Sequence, residues 1–249
     1  MKKSLLLLAL VLVLSSGTHA ASISSLMTDA DALYASRETL SSCEKSIELY
    51  EKMLSADPKN YDACWKTARS CKFLGDKYPS DSRAAILEKG EKFSRRAIEI
   101  SFDKVEGHFW LGVCLGRIGE ERGVLNSLFL VGPIKDEMEK CLSVDPTYAG
   151  AHHVLGVLYR KAPGWPLSSG DMDKAQEHAL LAVKYLPSST LNHLGLAEVY
   201  IARDKNKEAK EQLNIVLTLP LEPDRAPEDK DDKARAQELL KEVNKKLGN

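Results

Sequence analysis

At 249 residues the chain is long enough to bury one elongated core or two compact ones. Its 35 lysines and arginines balance 36 aspartates and glutamates, a formal net charge of -1, which leaves no basic excess for nucleic-acid binding to draw on. Glycine and proline are modest and aromatic residues make up only 6%, the balance of a mostly helical soluble protein.

The first stretch reads as a leader. Lys2-Lys3 supply a positive start, Leu5 to Leu14 an apolar run, and Thr18-His19-Ala20 a small-residue cleavage site. An apolar run of about ten residues is too short for a permanent membrane span, and no cysteine follows it to carry a lipid anchor. The expectation is an exported protein, periplasmic or extracellular, cut after Ala20. Its cysteines, Cys43, Cys64, Cys71, Cys114 and Cys141, then face an oxidising compartment in which an odd count leaves at least one unpaired. Their spacing lacks the C-x2-C pairs of a zinc site, and burial as small core residues is the competing use.

Further along, small residues recur on a helical period. Leu155-Gly156 and Tyr159 stand at L-G-x-x-Y, Ala175, Ala179 and Ala182 follow, and Pro187 closes the unit. This resembles the tetratricopeptide repeat (TPR), a helix-turn-helix in which small residues let two helices approach and proline ends the second. The phase extends backwards through Pro146 to Pro58, with the repeat's glycine position falling on Ala68 and Gly112 and its large position on Tyr50. The resemblance implies an all-α solenoid of about five repeats, at 27–60, 61–104, 105–148, 149–189 and 190–223. A polar turn and a capping helix follow over 224–249, with an apolar stripe of Ala234, Leu239-Leu240 and Val243. Each middle repeat is lengthened between its helices. These insertions, LGDKYPSDSRAAI, the apolar Val124–Ile134 segment and RKAPGWPLSSGDMDKA, read as long connections along one edge. The second offers a homo-oligomer interface through Leu128 and Phe129. In the third, Asp171 or Asp173 caps the helix that follows.

Within this frame the region from Phe109 to Pro220 resembles the T-component (TatT) family of TRAP-type solute transporters. The resemblance rests on His108-Phe109-Trp110-Leu111-Gly112, Leu155-Gly156-Val157-Leu158-Tyr159, Ala162-Pro163-Gly164-Trp165-Pro166 with Gly170-Asp171, and Asn192-His193 with Ala197-Glu198. It implies an exported oligomer that holds a hydrophobic or anionic solute for a transport partner. Regulators of microtubule dynamics share a similar degenerate TPR layout, and the leader argues against that intracellular role.

The groove-facing positions that TPR architecture implies are Trp65, Arg69, Lys72 and Phe73, then Phe109, Val113, Gly116 and Arg117. Next come His153, Val157, Arg160 and Lys161, and finally Leu194, Glu198, Ile201 and Ala202. Apolar surface with five cations and one acid fits an anionic amphiphile. The competing account is a solvated basic face over inter-repeat packing. The expected binding residues are Trp65, Arg69, Phe109, Val113, Arg117, Val157, Arg160, Lys161 and Trp165, the last as a lid, a partner anchor or a packing plug. A closed pocket walled by Trp65, Phe109 and Val157 favours the solute, and an open groove favours a protein or peptide partner. A clamp for a partner's terminal carboxylate is disfavoured, because Lys66, Trp110, Val154 and Gly195 occupy its asparagine position.

His108, His152 and His193 share one repeat position between the two helices and are expected as core residues rather than metal ligands. No H-E-x-x-H, G-x-S-x-G or phosphate loop occurs. The expectation is therefore a non-catalytic binding protein without cofactor or metal.

Overall fold

The computed structural model describes residues 24–248; the leader expected at 1–20 lies outside them. Five helical hairpins follow one another. They are α1 (24–35) with α2 (Leu40–Ala56), α3 (Tyr61–Lys77) with α4 (Ser80–Ile100), and α5 (Val105–Arg122) with α6 (Val124–Val144). The last two are α7 (Ala149–Lys161) with α8 (Met172–Tyr185), and α9 (Thr190–Ala202) with α10 (Asn206–Thr218). A short 3-10 turn at Pro223–Arg225 leads into α11 (Ala226–Lys246). Among the described residues no strand forms, so the chain is an all-α TPR-type solenoid with a C-terminal helix.

The turns between hairpins are built from the residues that end helices. After α2, Asp57 accepts from the Lys59 amide and from the Asn60 side chain, while Asn60 caps α3 through the Ala63 amide. Asp145 repeats the device with the Thr147 amide, and Ser189 caps α9 through Asn192. At the third insertion it is Asp171, not Asp173, that caps, accepting from the amides of Asp173 and Lys174.

Within hairpins, the small positions permit close approach. A Cβ on Gly156 would lie 3.3 Å from both the Ala175 carbonyl oxygen and the Ala179 amide nitrogen, so α7 and α8 touch backbone to backbone there. Gly112 is covered instead by the Met138 side chain and Gly75 by Leu87. The core is consequently a series of clusters rather than one centre, running from Tyr50, Met53 and Cys64 through Leu111, Met138 and Leu155 to Leu194, Leu213 and Val243. All five cysteines are buried free thiols, and burial pushes Cys43, Cys114 and Cys141 up to about 12.

Two expected loops are helix. Only Tyr78-Pro79 separate α3 from α4, and only Gly123, at a φ of 78°, separates α5 from α6. The extra residues lengthen both arms of each hairpin, so α4 and α6 each run to 21 residues, because one glycine in the left-handed region reverses the chain without a longer connection. The third insertion is a true loop over 162–171, clasped where Gly170 donates to the Pro163 carbonyl, with a cis Trp165–Pro166 bond.

Helix α11 has two halves. Its second packs Ala236, Leu239 and Val243 onto α9 and α10 and caps the stack; Ala234, expected in this stripe, is exposed, and Ala236 takes the place. Its first half runs back to the opposite end of the molecule.

Candidate functional site

The first helices of successive hairpins, α3, α5, α7 and α9, carry the expected groove residues, of which Phe73 and Leu194 are instead buried in the core, and an ion ladder crosses them. Lys72 Nζ lies 2.7 Å from Asp76, which also takes Arg117 Nε at 2.7 Å. Arg117 reaches Glu120, which accepts Lys161 Nζ at 2.5 Å, and Arg160 bonds Glu198 at 2.6 Å. The expected anion-seeking cations Arg117, Arg160 and Lys161 are therefore engaged by protein carboxylates. Asp76 and Glu120 were absent from the sequence-based groove because each sits on the helix turn beyond the positions assigned to it. Neutralising a cation this way lowers its pull on a foreign anion.

Aromatic members serve packing. Phe109 is half-buried, edge-on to Trp110 and Tyr148 with centroids 5.1 and 5.2 Å away. A Cβ on Gly150 would come within 2.8 Å of its ring. Trp65 is half-buried and donates to Asp62 at 3.0 Å. Arg69 stacks its guanidinium 3.8 Å from the Tyr34 centroid and 5.1 Å from that of Trp65. Val113 and Val157 are half-buried. Trp165 is 90% exposed at the tip of its loop, next to Leu167 at 74%, so it is not a packing plug. Two concavities lie elsewhere, one of ≈ 520 Å³ along α4 beside Phe93 and Arg96, the other of ≈ 340 Å³ between Phe73, Lys77 and α11. Neither is walled by Trp65, Phe109 or Val157.

Histidines at the shared position are structural, and by one mechanism. In His108, His152 and His193, Nε2 faces the carbonyl of the residue six before it: Phe102, Pro146 and Pro187, at 2.8, 3.1 and 2.9 Å. A carbonyl only accepts, so each ring donates from Nε2 and pins the preceding inter-hairpin turn. Nδ1 then meets the second helix of the hairpin, at Glu137, His178 and Gln212 respectively. His178 is held below the ordinary histidine range by burial and by His152. Among the described residues no group of three or more His, Cys, Asp or Glu is placed to hold a metal ion.

The first half of α11 contributes what sequence reasoning missed. Arg37, in the α1–α2 turn and only 1% exposed, is gripped by Glu228 through Nε at 3.0 Å and a second nitrogen at 2.5 Å. It also donates to the carbonyls of Tyr34 and Asp224. Lys77 Nζ meets Asp231 at 2.5 Å, and Lys230 meets Glu38. The Thr190 hydroxyl, at the start of α9, lies 2.8 Å from a carboxylate oxygen of each of Asp229 and Asp232, and its one proton serves either of them. The segment thus ties the last hairpin to the first two, on the groove side. Half-buried His153 registers the enclosure, pushed down to about 4 by burial and then by Arg225, Arg160, Lys72 and Lys161. Asp232 moves oppositely, up to about 6, chiefly through burial. The acid-rich stretch EPDRAPEDKDDK, expected as a polar turn but helical from Ala226, was the only signal in the sequence, and nothing in it marked Arg37 as its partner.

A family model described as regulator of microtubule dynamics protein 1-3 matches residues 26–162, from α1 through α7. Regulator of microtubule dynamics protein 1 of Caenorhabditis elegans is 24% identical over 205 residues, covering 76% of this chain and 88% of that protein. The Mus musculus protein of the same name is 23% identical over 140 residues, covering 55% of this chain and 44% of that protein. The chain therefore spans most of the worm protein but less than half of the mouse one. Among solved structures, a thermophilic TPR protein of Thermus thermophilus superposes with a TM-score of 0.67 at 18% identity, over 86% of this chain and 98% of that one. PilF of Pseudomonas aeruginosa does so with 0.55 at 13% identity, over 89% and 93%. At these identities the structural likeness is one of fold. The family that matches is the one against which the leader argued, not the T-component family. The L-G-x-x-Y helix and its small partners are packing requirements of any TPR hairpin and do not separate its subfamilies.

Proposed function

The chain belongs to the regulator of microtubule dynamics protein 1-3 family, and on that premise we propose that it is a non-catalytic TPR scaffold that recognises a protein partner through its concave face. The observation that carries this reading is that the face already holds a peptide segment, the first half of α11, by side-chain ion pairs and hydrogen bonds at both ends. Extended partners are the common ligands of such faces. Trp65, Arg69, Phe109, Val113, Arg117, Val157, Arg160 and Lys161 form its floor, and exposed Trp165 is an anchor at its rim. A small hydrophobic or anionic solute handed to a transport partner is the weaker reading, because Arg117, Arg160 and Lys161 are already paired with carboxylates.

The names of the relatives make microtubule proteins the first partner class to test. Co-sedimentation of the full chain with polymerised microtubules, compared with Trp165→Ala, is expected to give saturable binding that the variant weakens. Pelleting that is absent at every concentration contradicts this partner class. Export after Ala20 is the opposing proposal on location. N-terminal sequencing of the protein from its own host separates the two, since a mature start at Ala21 is incompatible with a role on cytoplasmic microtubules.

A further inference from the structure

The cleft beneath α11 has chemistry that neither the repeat pattern nor the family assigns. Its floor is apolar, formed by Leu40 and Phe73, with Pro227 opposite, and Lys77 lines one side. Arg37 is fixed beside it, its guanidinium 4.4 Å from the Tyr34 centroid and 5.4 Å from that of Phe73. A guanidinium held over rings keeps its fork of donors ready for a carboxylate. Glu228 occupies that fork, and Asp231, one helical turn later, occupies Lys77.

The apolar anchoring of α11 lies elsewhere, in Ala236, Leu239 and Val243 against α9 and α10. Apart from buried Pro227 over that floor and the Arg37 bond to the Asp224 carbonyl, what binds its first half to the far end of the molecule is ionic, and two of the three pairs, Lys77–Asp231 and Lys230–Glu38, are substantially exposed. Exposed ion pairs are weak and exchange with competing charges. The remaining hairpins do not depend on them, since each repeat packs mainly on its neighbours.

We propose that this cleft is a receptor for an acidic helical segment of a partner protein, and that residues 222–232 occupy it as an internal stand-in. The partner segment carries two carboxylates at the three-residue spacing of Glu228 and Asp231, and it binds by displacing them. This rests on the scaffold reading and gives its partner a chemistry. The apparent affinity for such a segment is reduced by the fraction of molecules in which α11 is closed, so loosening the closure raises affinity without a new contact.

The test uses the full chain, a fluorescein-labelled peptide of residues 222–233, and the same peptide with every Asp and Glu replaced by its amide. Anisotropy titrations at low salt compare the wild type with Glu228→Gln/Asp231→Asn, and with that variant carrying Lys77→Met. The double variant is expected to bind the acidic peptide at least tenfold more tightly than the wild type, to lose most of that gain with Lys77→Met, and to ignore the amide peptide. Circular dichroism checks folding. If the double variant loses helix, Lys230→Gln, which cuts only the tie to Glu38, replaces it with an expected gain of about threefold. Equal binding of the acidic and amide peptides overturns the acidic receptor while leaving the scaffold reading intact. A folded, loosened variant that binds the acidic peptide no better than the wild type overturns the internal stand-in. Failure to pellet with or capture any protein partner, by either form, counts against the scaffold reading itself.

Discussion

Replacing Glu228 with alanine removes both oxygens that grip Arg37 and leaves a guanidinium that is 1% exposed with only the carbonyls of Tyr34 and Asp224. Removing one partner of a buried ion pair costs about 3–5 kcal/mol. Glu228 retains 20% side-chain exposure, and the two carbonyls and the Tyr34 face persist, so a cost at or just below the bottom of that range, about 2–3 kcal/mol, is expected. For a chain of this length that is a fall of about 5–10 °C in melting temperature if unfolding is cooperative. Arg37→Met alone loses the same pair and the two bonds to carbonyls, whereas Arg37→Met/Glu228→Met substitutes an apolar contact and recovers part of the loss. The assay is thermal unfolding followed by circular dichroism for the wild type, Arg37→Met, Glu228→Met and Arg37→Met/Glu228→Met, arranged as a double-mutant cycle, with Glu228→Ala measured alongside. A coupling above about 1.5 kcal/mol is expected for a buried, doubly bonded pair. Additive losses, or a melting temperature for Glu228→Ala within about 1 °C of wild type, refute the closure of α11 onto the first hairpin.

Two half-buried groups predict opposing acid responses. The folded state keeps His153 neutral down to about 4 while the unfolded chain protonates it near 6.5, so its contribution to stability declines as pH falls between those values, by up to about 3 kcal/mol. Asp232, raised to about 6 from 3.8, binds its proton more readily when folded, so its term improves as pH falls through the same range. Asp232→Asn is therefore expected to melt higher at pH 7.5 and to lose stability more steeply toward pH 4, read by thermal unfolding across pH; a lower melting temperature at pH 7.5 opposes the assignment. Gly156→Ala, which presses a Cβ against backbone at 3.3 Å, is expected to cost about 1–3 kcal/mol. Gly112→Ala meets only the flexible end of Met138 and is expected to cost less, a ranking that urea unfolding reverses or upholds. The five buried thiols, their thiolates disfavoured by burial, are expected to stay unreactive to a disulfide reagent until the chain is denatured. Rapid labelling of native protein contradicts their placement.

Much of the architecture was legible because it is imposed locally. Pro58, Pro146 and Pro187 must end helices, and Gly156 opposite Ala175 and Ala179 records a close crossing that only small residues allow. The histidines were legible as core residues, but not their shared bond to a turn carbonyl, which depends on chain direction just before each helix. The insertions misled because a polar, turn-rich stretch around Asp76–Ser82 and an apolar one from Val124 were read as loops, when one residue, Gly123, suffices to reverse the second hairpin. The groove's charge was misjudged because Asp76 and Glu120 neutralise it from positions off the expected face. Least legible was the tie between Arg37 and Glu228, separated by 191 residues, since no period in a sequence links one arginine in a turn to one glutamate in a distant helix.

Zero-length carbodiimide cross-linking of the dilute protein, read by mass spectrometry, tests most directly whether the first half of α11 lies across the groove side of the first two hairpins. Such a reagent joins only amines and carboxylates already in contact. Linked peptides pairing Lys77 with Asp231 and Lys230 with Glu38 are the predicted result, lost when α11 is displaced by an acidic peptide. Cross-links confined to neighbouring hairpins, such as Lys72 with Asp76 and Lys161 with Glu120, with none reaching from α11 to residues 38 or 77, contradict it.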